Sequence, residues 1–258
     1  MKYAIVSKPD EMSNAISIHI RNKLDEANWI ESTCPEIVIT VGGDGTILFA
    51  IQKYFSLLKN IMFVGLKTGT LGFLTDYNEN EADMLIEDLL HKQPIIVSKR
   101  MVEADIFCEN QVKKIWGLNE IRIENNVNTQ IMDIYVDDDF LETYRGSGIC
   151  VATQAGSTAF NRAVNGAIID ENLQLIELSE IIPLRNREYT TLGCSVVLHS
   201  NRRIKVVSDD FKNAVLCYDQ TNFYLDGCKL IYIYLSDKKV KFASYRNHSY
   251  IKRLKTLY

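Results

Sequence analysis

The sequence predicts a two-domain protein of the α+β class, in which an N-terminal α/β domain with a parallel sheet precedes a mainly antiparallel β domain. Three observations support this prediction. Apolar runs of strand length alternate with helical periodicity up to about residue 95. After Pro94 the pattern changes to short runs with period-two alternation. The length of 258 residues is enough for two modest hydrophobic cores.

Three short apolar runs in the first domain are typical of buried parallel strands. The second run is β-branched throughout, which favours a strand. Because a helical pattern follows each run, we expect the sheet to be covered on both faces, in a Rossmann-like arrangement. The predicted strands are residues 3–6, 37–41 and 61–66.

Apolar residues spaced three or four apart predict a helix after each strand. Asn80 stands just before the third of these patterns, where its side chain would cap the helix. The apolar positions are Met12, Ile16, Ile20 and Leu24 in the first helix, Ile47, Ala50, Ile51, Tyr54 and Leu58 in the second, and Ala82, Leu85, Ile86 and Leu89 in the third.

The remainder of the chain is rich in short β-branched and aromatic runs, which predict antiparallel strands. We place the boundary near Pro94 from this change in composition, which gives a first domain of residues 1–95 and a second of residues 96–258. The last twelve residues are basic, and we expect them to form a short helix in a segment that packs back. The runs are IIV, EADIF, EIRIE, MDIYVD, SVVL, RIKVV, NFYL, LIYIYL and VKFASY.

Composition narrows the class of protein. The net charge of −4 provides no general positive field, so we expect neither nucleic acid nor a membrane surface as a partner. No apolar run reaches the roughly 18 residues that cross a bilayer, and the N-terminus lacks the apolar region of a signal peptide. A cytoplasmic protein with reduced, mostly buried cysteines is therefore predicted. These cysteines are Cys34, Cys108, Cys150, Cys194, Cys217 and Cys228.

A Gly-Gly-Asp-Gly turn stands where the second predicted strand meets its helix. Glycines at that place let backbone N–H groups approach an anion, and a helix N-terminus favours negative charge. Asp44 would repel phosphate unless a divalent cation bridges the two, or unless the carboxylate receives a proton from a substrate hydroxyl. Alternatively, Asp44 merely forms an Asx-turn and caps the helix. These residues alone leave both interpretations open.

A second glycine-rich stretch, GLKTGTLGFLTD at residues 65–76, follows the third predicted strand in the same way. Ligands of open α/β sheets bind at the carboxyl ends of the strands. Two glycine-rich strand ends side by side therefore favour a broad phosphate-binding cleft over a single structural turn.

Two stretches of the β domain are also unusual. In GLNEIRIE, Asn119 and Glu120 would bind both hydroxyls of a ribose, or they form an exposed polar pair at a strand start. In RGSGICVATQAGSTAFNRA, residues 145–163, Ser157 or Thr158 would cap a short helix. The backbone there would offer donors to a base or a phosphate, or the stretch is a plain capped loop.

Taken together, these four stretches resemble the signatures of the NAD kinase family, compact bacterial type. GGDGT matches the first signature and G-x-x-T-G-x-L-G-F-L-T-D the second. L-N-E matches the third and G-x-G-x-x-x-x-T-x-x-G-S-T-A-[YF] the fourth. GGDG alone is shared with diacylglycerol kinases, sphingosine kinases and phosphofructokinases, whereas the Asn-Glu pair with the Gly-Ser-Thr-Ala run singles out NAD kinases.

The resemblance implies an activity and its partners. The γ-phosphoryl group of ATP, with Mg²⁺, would pass to the 2′-hydroxyl of the adenosine ribose of NAD in an active site between the two domains. The second domain would bind NAD, and the protein would be a homodimer or a homotetramer. A degenerate NAD(P)-binding paralogue and a lipid kinase that shares GGDGT are the alternatives.

The resemblance also assigns roles to individual residues. Asp44 would orient and deprotonate the hydroxyl or hold the metal, and Asp219 is the best match to a late aspartate of the family's site, with Asp226 a looser match. The other positions would bind the nucleotides. They are Gly43 and Gly45 for the phosphates, Phe73 for the NAD pocket, Asn119 and Glu120 for the nicotinamide-side ribose or diphosphate, and Thr158, Ala159 and Phe160 for adenine.

The sequence departs from the family pattern at three places. Ser147 stands where the family has an aspartate that helps to hold NAD, often in a neighbouring subunit. Gln154 replaces a proline, and Phe160 replaces the usual tyrosine. We expect these changes to affect the affinity for substrate more than the chemistry, because Asp44 is intact.

Overall fold

The computed structural model describes residues 1–69, 72–109, 111–187, 189–247 and 249–255. The chain divides into two compact units. The first unit comprises Met1–Lys99 together with Lys239–Tyr258, and the second comprises Arg100–Lys238.

The first unit is built on parallel strands that alternate with helices, which confirms the predicted α/β class. Its elements are β1 (Lys2–Ser7), α1 (Glu11–Glu26), β2 (Ile30–Glu31), β3 (Ile37–Val41), α2 (Asp44–Lys53), β4 (Met62–Lys67), β5 (Tyr77–Asn78) and α3 (Ala82–His91). Every pairing among these strands is parallel, in the order β2-β1-β3-β4-β5. Because parallel strands end at the same edge, the turns after β3 and β4 are neighbours.

Two details of the helices differ from the sequence predictions. Met12 is 52% exposed, and the buried face of α1 carries Ser13 and Ser17 instead. Their burial is possible because the Ser17 hydroxyl donates to the carbonyl of Ser13, and the Ser13 hydroxyl is hydrogen-bonded to that of Thr68. Asn80 does not cap the third helix: the side chain of Asn78 caps a short 3₁₀ turn that leads into α3.

The second unit is mainly antiparallel, as predicted. The sequence pattern did not indicate the strands Gln111–Gly117, Leu175–Pro183 and Val215–Tyr218, and it indicated Asp139–Thr153 only over its last part. Two predicted runs, LIYIYL and VKFASY, belong to one strand, Cys228–Ser244. The elements from there on are β6 (Ile95–Cys108), β7 (Gln111–Gly117), β8 (Glu120–Glu124), β9 (Gln130–Val136), β10 (Asp139–Thr153), α4 (Phe160–Ala163), β11 (Leu175–Pro183), β12 (Val196–His199), β13 (Arg203–Val207), β14 (Val215–Tyr218), β15 (Thr221–Tyr224), β16 (Cys228–Ser244) and, in the first unit, α5 (Tyr250–Leu254).

Strand β8 separates two environments within the second unit. It lies between β10 and β14, and both pairings are antiparallel. Ile121 and Ile123 point into the large apolar core. The alternate residues Glu120, Arg122 and Glu124 face the opposite side. The candidate residues of this unit are thus carried by the polar face of a strand whose other face is fixed in the core.

The cysteines differ from the expectation of six reduced thiols, because Cys108 and Cys228 form a disulfide. The bond joins the end of β6 to the start of β16. The other four cysteines are free, and Cys150 is buried among them. Over the ranges that the structure describes, no helix is long and apolar enough to cross a membrane.

Candidate active site

Asp44 is the first residue of α2 and lies between the two glycine-rich turns of the first unit. Its Oδ2 atom accepts the backbone N–H of Phe73 at 2.7 Å, and its Oδ1 atom accepts that of Leu74 at 3.0 Å. An ionised carboxylate offers about four acceptor positions, so these two bonds leave capacity for a further donor or a cation. The Asp44 side chain does not cap its own helix, whose N-cap residue is Gly43, and instead ties the second turn to the first.

The electrostatic surroundings of Asp44 are mixed. Burial raises the pKa of the carboxyl group above its usual value, while the two N–H donors and the positive charges of Arg253 and Lys67 oppose that rise. Arg253 lies on α5, pairs with Asp76, and donates to the carbonyl of Phe73 at 2.7 Å. Sequence reasoning missed Arg253, because its basic helix shares no motif with the turn that it contacts.

Two glycines of these turns differ in the space available for a side chain: Gly72 has none, whereas Gly43 has room within the described part of the chain. A Cβ atom on Gly72 would lie 2.3 Å from Oδ1 of Asp44, so only glycine permits this approach. A Cβ atom on Gly43 would meet no atom of the described residues within 4 Å, so among these residues the space beside the first turn is open. Gly45 lies in the first turn of α2, where an α-helix leaves N–H groups without intrahelical partners. Thr70 and Leu71 of the second glycine-rich stretch lie outside the described residues.

Phe73 is half-buried beside Asp44. Its ring meets Tyr250 of α5 edge to face, with the ring centroids 6.4 Å apart. Its backbone is held at both ends, by Asp44 through the N–H group and by Arg253 through the carbonyl. The ring is thus presented from a fixed backbone.

In the second unit, Asn119 lies in the turn between β7 and β8 and is held by Asp219. The carboxylate of Asp219 accepts the N–H groups of Leu118 and Asn119, each at 2.8 Å. Asp219 itself occupies the turn between β14 and β15 with a positive φ of 49°. Asp226, the looser match, stands at the next turn and is exposed. Asp219 thus fixes the backbone of the Asn-Glu pair.

Asp219 holds the N–H group of Asn119, and the end of β10 holds its carbonyl oxygen. Thr153 donates its N–H to this oxygen at 2.8 Å. A Cβ atom on Gly156 would lie 2.0 Å from the same oxygen, so the Gly-Ser-Thr stretch can approach only with glycine at this position. Thr153 is the threonine of the fourth signature, although no role of its own was predicted for it from the sequence.

Glu120 follows Asn119 and is only 4% exposed. Burial, and then the charge of Asp219, raise the pKa of Glu120 to about 8. Its Oε2 atom has no hydrogen-bond partner within the described part of the chain, and Nε of Arg122 is 4.0 Å from Oε1. This carboxyl group is buried and incompletely paired, which is typical of a binding site rather than of an exposed polar pair.

Neither Ser157 nor Thr158 forms the predicted cap. Thr158 ends a 3₁₀ turn, Ala159 is the N-cap residue of α4, and no side chain caps that helix. The Ser157 hydroxyl donates instead to the carbonyl of Gln154 and accepts the N–H of Ile169. Side-chain to backbone bonds of this kind compete with capping.

The ring of Phe160, the first residue of α4, lies over the guanidinium of Arg122 at 3.9 Å from the ring centroid. Asn161, the next residue, donates to the fully buried carboxylate of Glu177 at 2.7 Å. The structure therefore brings Asn119, Glu120 and Phe160 to one end of β8.

Ser147 is not part of this group. It lies on β10 five residues before Ala152, the partner of Glu120 in the sheet register. At about 3.3 Å per residue, this places the two positions about 16 Å apart along the strand. The carbonyl of Ser147 accepts the N–H of Asn125.

Each unit thus offers a distinct chemistry. The first has a fixed carboxylate at a helix N-terminus with open space beside a glycine, which suits an anion and a hydroxyl group. The second has an amide, a buried carboxyl group and an aromatic ring, which suit the hydroxyl groups and the base of a nucleoside.

Comparison with known proteins matches both units. The profile of the ATP-NAD kinase N-terminal domain matches residues 5–94, and that of the ATP-NAD kinase C-terminal domain matches residues 118–245. An NAD kinase of Leuconostoc mesenteroides is 34% identical over 100% of this chain and 98% of its own length. That of Leuconostoc citreum is 36% identical over 98% of this chain and 96% of its own length.

Two solved structures share the fold. Yeast NADH kinase, complexed with NADH, has a TM-score of 0.84 at 18% identity and covers 99% of this chain and 86% of its own. An NAD kinase from Archaeoglobus fulgidus, in complex with ATP, has a TM-score of 0.77 at 22% identity and covers 99% of each chain.

Proposed function

Because this chain belongs to the NAD kinase family, we propose that it transfers the γ-phosphoryl group of ATP to the 2′-hydroxyl of the adenosine ribose of NAD, which yields NADP. It is an ATP-dependent NAD kinase. The observation that carries the site assignment is the Asp44 carboxylate, fixed by two backbone N–H groups at a helix N-terminus.

Asp44 is the catalytic residue of the proposal. Its remaining acceptor capacity takes the hydrogen bond of the 2′-hydroxyl and then its proton as the phosphoryl group arrives. Burial favours this role, because a carboxyl group with a raised pKa is a stronger base. The bonds from Phe73 and Leu74 keep the carboxylate aimed without any cost of reorganisation at the moment of reaction.

The phosphate groups of ATP bind beside Asp44. Gly43 leaves open space and, with Gly45, exposes backbone N–H groups at the start of α2. The described residues contain no cluster of three or more metal-ligating side chains. Mg²⁺ in phosphoryl transfer needs only one or two carboxylates plus the substrate phosphates, so Asp44 fits this ion. When bound, Mg²⁺ neutralises charge that develops on the phosphates.

The second unit binds NAD. The side chains of Asn119 and Glu120 take ribose hydroxyls, and Thr158, Ala159 and Phe160 contact the adenine base. Both carboxylate oxygens of Asp219 accept backbone N–H groups, those of Leu118 and Asn119, so the role of Asp219 is to position Asn119. We retain residues 1–95 as the phosphate-binding domain and residues 96–258 as the NAD-binding domain. Residues 239–258 belong to the first compact unit, which supports a C-terminal segment that packs back.

Three further properties belong to the same proposal. The protein is a homodimer or a homotetramer, in which Ser147 helps a neighbouring subunit to hold NAD. Ser147 lies five residues along β10 from Ala152, the register partner of Glu120, and this distance supports a role for Ser147 outside the group formed by Asn119, Glu120 and Phe160. The protein acts in the cytoplasm.

The deciding experiment supplies NAD and Mg-ATP to the purified chain and follows NADP through an NADP-specific dehydrogenase. Formation of NADP that requires both substrates supports the proposal. Binding of NAD in calorimetry without any turnover would contradict it and leave a non-catalytic binder. A parallel assay with diacylglycerol and a sphingoid base identifies a lipid kinase if product forms there instead.

A further inference from the structure

The sheet face that lies beneath α4 is polar and yet largely buried. In register, Arg122 of β8 lies opposite Cys150 of β10, which lies opposite Ser179 of β11. Glu120 lies opposite Ala152, and Ala152 opposite Glu177. Phe160 packs against the buried cluster of Cys150, Ala152 and Ile181, so α4 covers this face.

Arg122 occupies the centre of the face. Its side chain is 16% exposed, and its Nη1 atom lies 2.6 Å from Oε1 of Glu124. On its other side Nε is 4.0 Å from Oε1 of Glu120, and the guanidinium stacks on Phe160 at 3.9 Å. One cation thus contacts a carboxyl group and an aromatic ring that the proposed function assigns to NAD binding.

The position of α4 does not depend on Arg122. Asn161 donates to Glu177 and accepts from the hydroxyl of Ser179, each at 2.7 Å, and Ala167 donates its N–H to Glu177 at 2.6 Å. These bonds tether the helix to β11. The contact of Arg122 therefore acts on the Phe160 ring, whose side chain would otherwise choose among rotamers.

We propose that Arg122 is a positioning residue for the nucleoside of NAD: it holds the Phe160 ring for stacking with a planar base and balances the charge of Glu120. This inference rests on the proposed function. A guanidinium suits both tasks, because its plane stacks on a ring while its edge faces carboxylates. Lysine offers the charge without the plane.

A purely structural ion pair with Glu124 is the competing interpretation. It predicts a loss of stability on removal of Arg122 and no specific change in NAD binding. The proposal predicts a change in the pH dependence as well, because the positive charge of Arg122 opposes the raised pKa of Glu120. The titratable or charged groups that face Glu120 are Arg122 and Glu124 on its own strand, Asp219 and Cys217 on the β14 side, and Cys150 on β10.

The experiment compares Arg122→Met and Arg122→Lys with the wild type, and with Arg202→Met as a matched control. Arg202 is 53% exposed and pairs with Asp137, outside the proposed site. Arg122→Met should raise KM for NAD about tenfold, with kcat within about twofold and KM for ATP unchanged. The midpoint of the pH profile of NAD binding should move up by about one unit. Arg122→Lys should restore the midpoint and leave KM raised.

Calorimetric titration with NAD accompanies the kinetics, so that the inference is tested even if the wild type shows no turnover. If the wild type shows no turnover but Arg122→Met still binds NAD more weakly than the wild type does, the kinase proposal is overturned and the role of Arg122 in NAD binding is supported. An unchanged affinity and pH midpoint in a folded Arg122→Met protein would overturn the role of Arg122. If that variant does not fold, Arg122→Lys decides: an affinity equal to that of the wild type would overturn the stacking role.

Discussion

The backbone N–H of Phe73 donates to Oδ2 of Asp44 across 2.7 Å, although 29 residues separate the two in sequence. The carboxylate that carries the proposed chemistry is therefore also a structural link between two turns. Substitution of Asp44 should act on turnover and on stability together, and the two effects have to be measured separately.

Asp44→Asn should lower turnover roughly 10²–10⁴-fold, the usual scale for loss of a general base. The amide oxygen can accept only on its own side, so one of the two N–H groups loses its partner, at about 1–3 kcal/mol of unfolding free energy. Asp83→Asn makes the same change at a carboxylate that is 87% exposed, and it should change neither property. Near wild-type turnover in Asp44→Asn would remove Asp44 from the mechanism.

The two turns can be tested by alanine substitution. Gly72→Ala places a methyl group 2.3 Å from Oδ1 of Asp44, so it should lower both stability and turnover. The added methyl group of Gly43→Ala meets no atom within 4 Å in the part of the chain that the structure describes, so this variant should leave the thermal midpoint nearly unchanged while it raises KM for ATP. Equal KM values for ATP in Gly43→Ala and the wild type would show that phosphates do not approach this turn.

Glu120 should make stability depend on pH. Its folded-state pKa, about 8, is above the ordinary value of 4.5, so the native state holds the proton more tightly. Its contribution is complete below about pH 4.5 and is lost as the pH rises to about 8, by at most about 1.4 kcal/mol per unit. Urea unfolding between pH 5 and pH 9 measures this slope. The same slope in Glu120→Gln would contradict the assignment.

Asp219 and Asp226 lie at neighbouring turns, so a variant of Asp226 can serve as the control for the same change at Asp219. Asp219→Asn leaves one of the N–H groups of Leu118 and Asn119 without an acceptor, so we expect a fall of roughly 2–8 °C in the thermal midpoint and a raised KM for NAD. Asp226 is exposed and accepts one N–H at 3.2 Å, so Asp226→Asn should be nearly neutral. Similar effects of both variants would argue against the positioning role of Asp219.

Ser147→Asp tests the weakened substrate site that the resemblance indicates. A charged hydrogen bond is stronger than a neutral one by roughly 1 kcal/mol, so KM for NAD should fall about fivefold with turnover little changed. Ser147→Ala should raise KM slightly. If Ser147→Asp raised KM instead, the pocket would have been rebuilt around serine.

The sequence allowed β1, β3 and β4 of the first unit to be predicted, and β3 and β4 are apolar on both faces. The two-residue strands β2 and β5 were not predicted, because they are too short to show a pattern. The sequence could not reveal that Ser13 is buried, since the hydroxyl finds its partner in Thr68, 55 residues away. The alternation in EIRIE located β8 correctly. Its polar residues resemble a solvated face, because the cover that buries them comes from α4.

The candidate site shows the same division. The glycine-rich turns and the Asn-Glu pair were visible as local motifs, whereas their supports are distant in sequence. Asp219 holds Asn119 across 100 residues, and Arg253 reaches Phe73 across 180. The sequence indicated β10 only over its last part, after Gly148, because Gly146 and Gly148 interrupt its apolar pattern.

The bond between Cys108 and Cys228 closes a covalent ring across a sequence separation of 120. Proteolytic cleavage at one peptide bond between Cys108 and Cys228 would give two fragments that stay joined by the disulfide. They would migrate as one species in denaturing electrophoresis without a reductant and as two species after reduction. The ring encloses the candidate NAD-binding residues of the second unit, whereas Asp44 and Phe73 are outside it. Limited proteolysis followed by electrophoresis with and without a reductant can thus distinguish cleavage in the nucleoside-binding unit, whose fragments stay linked, from cleavage near Asp44 and Phe73, whose fragments separate without reduction.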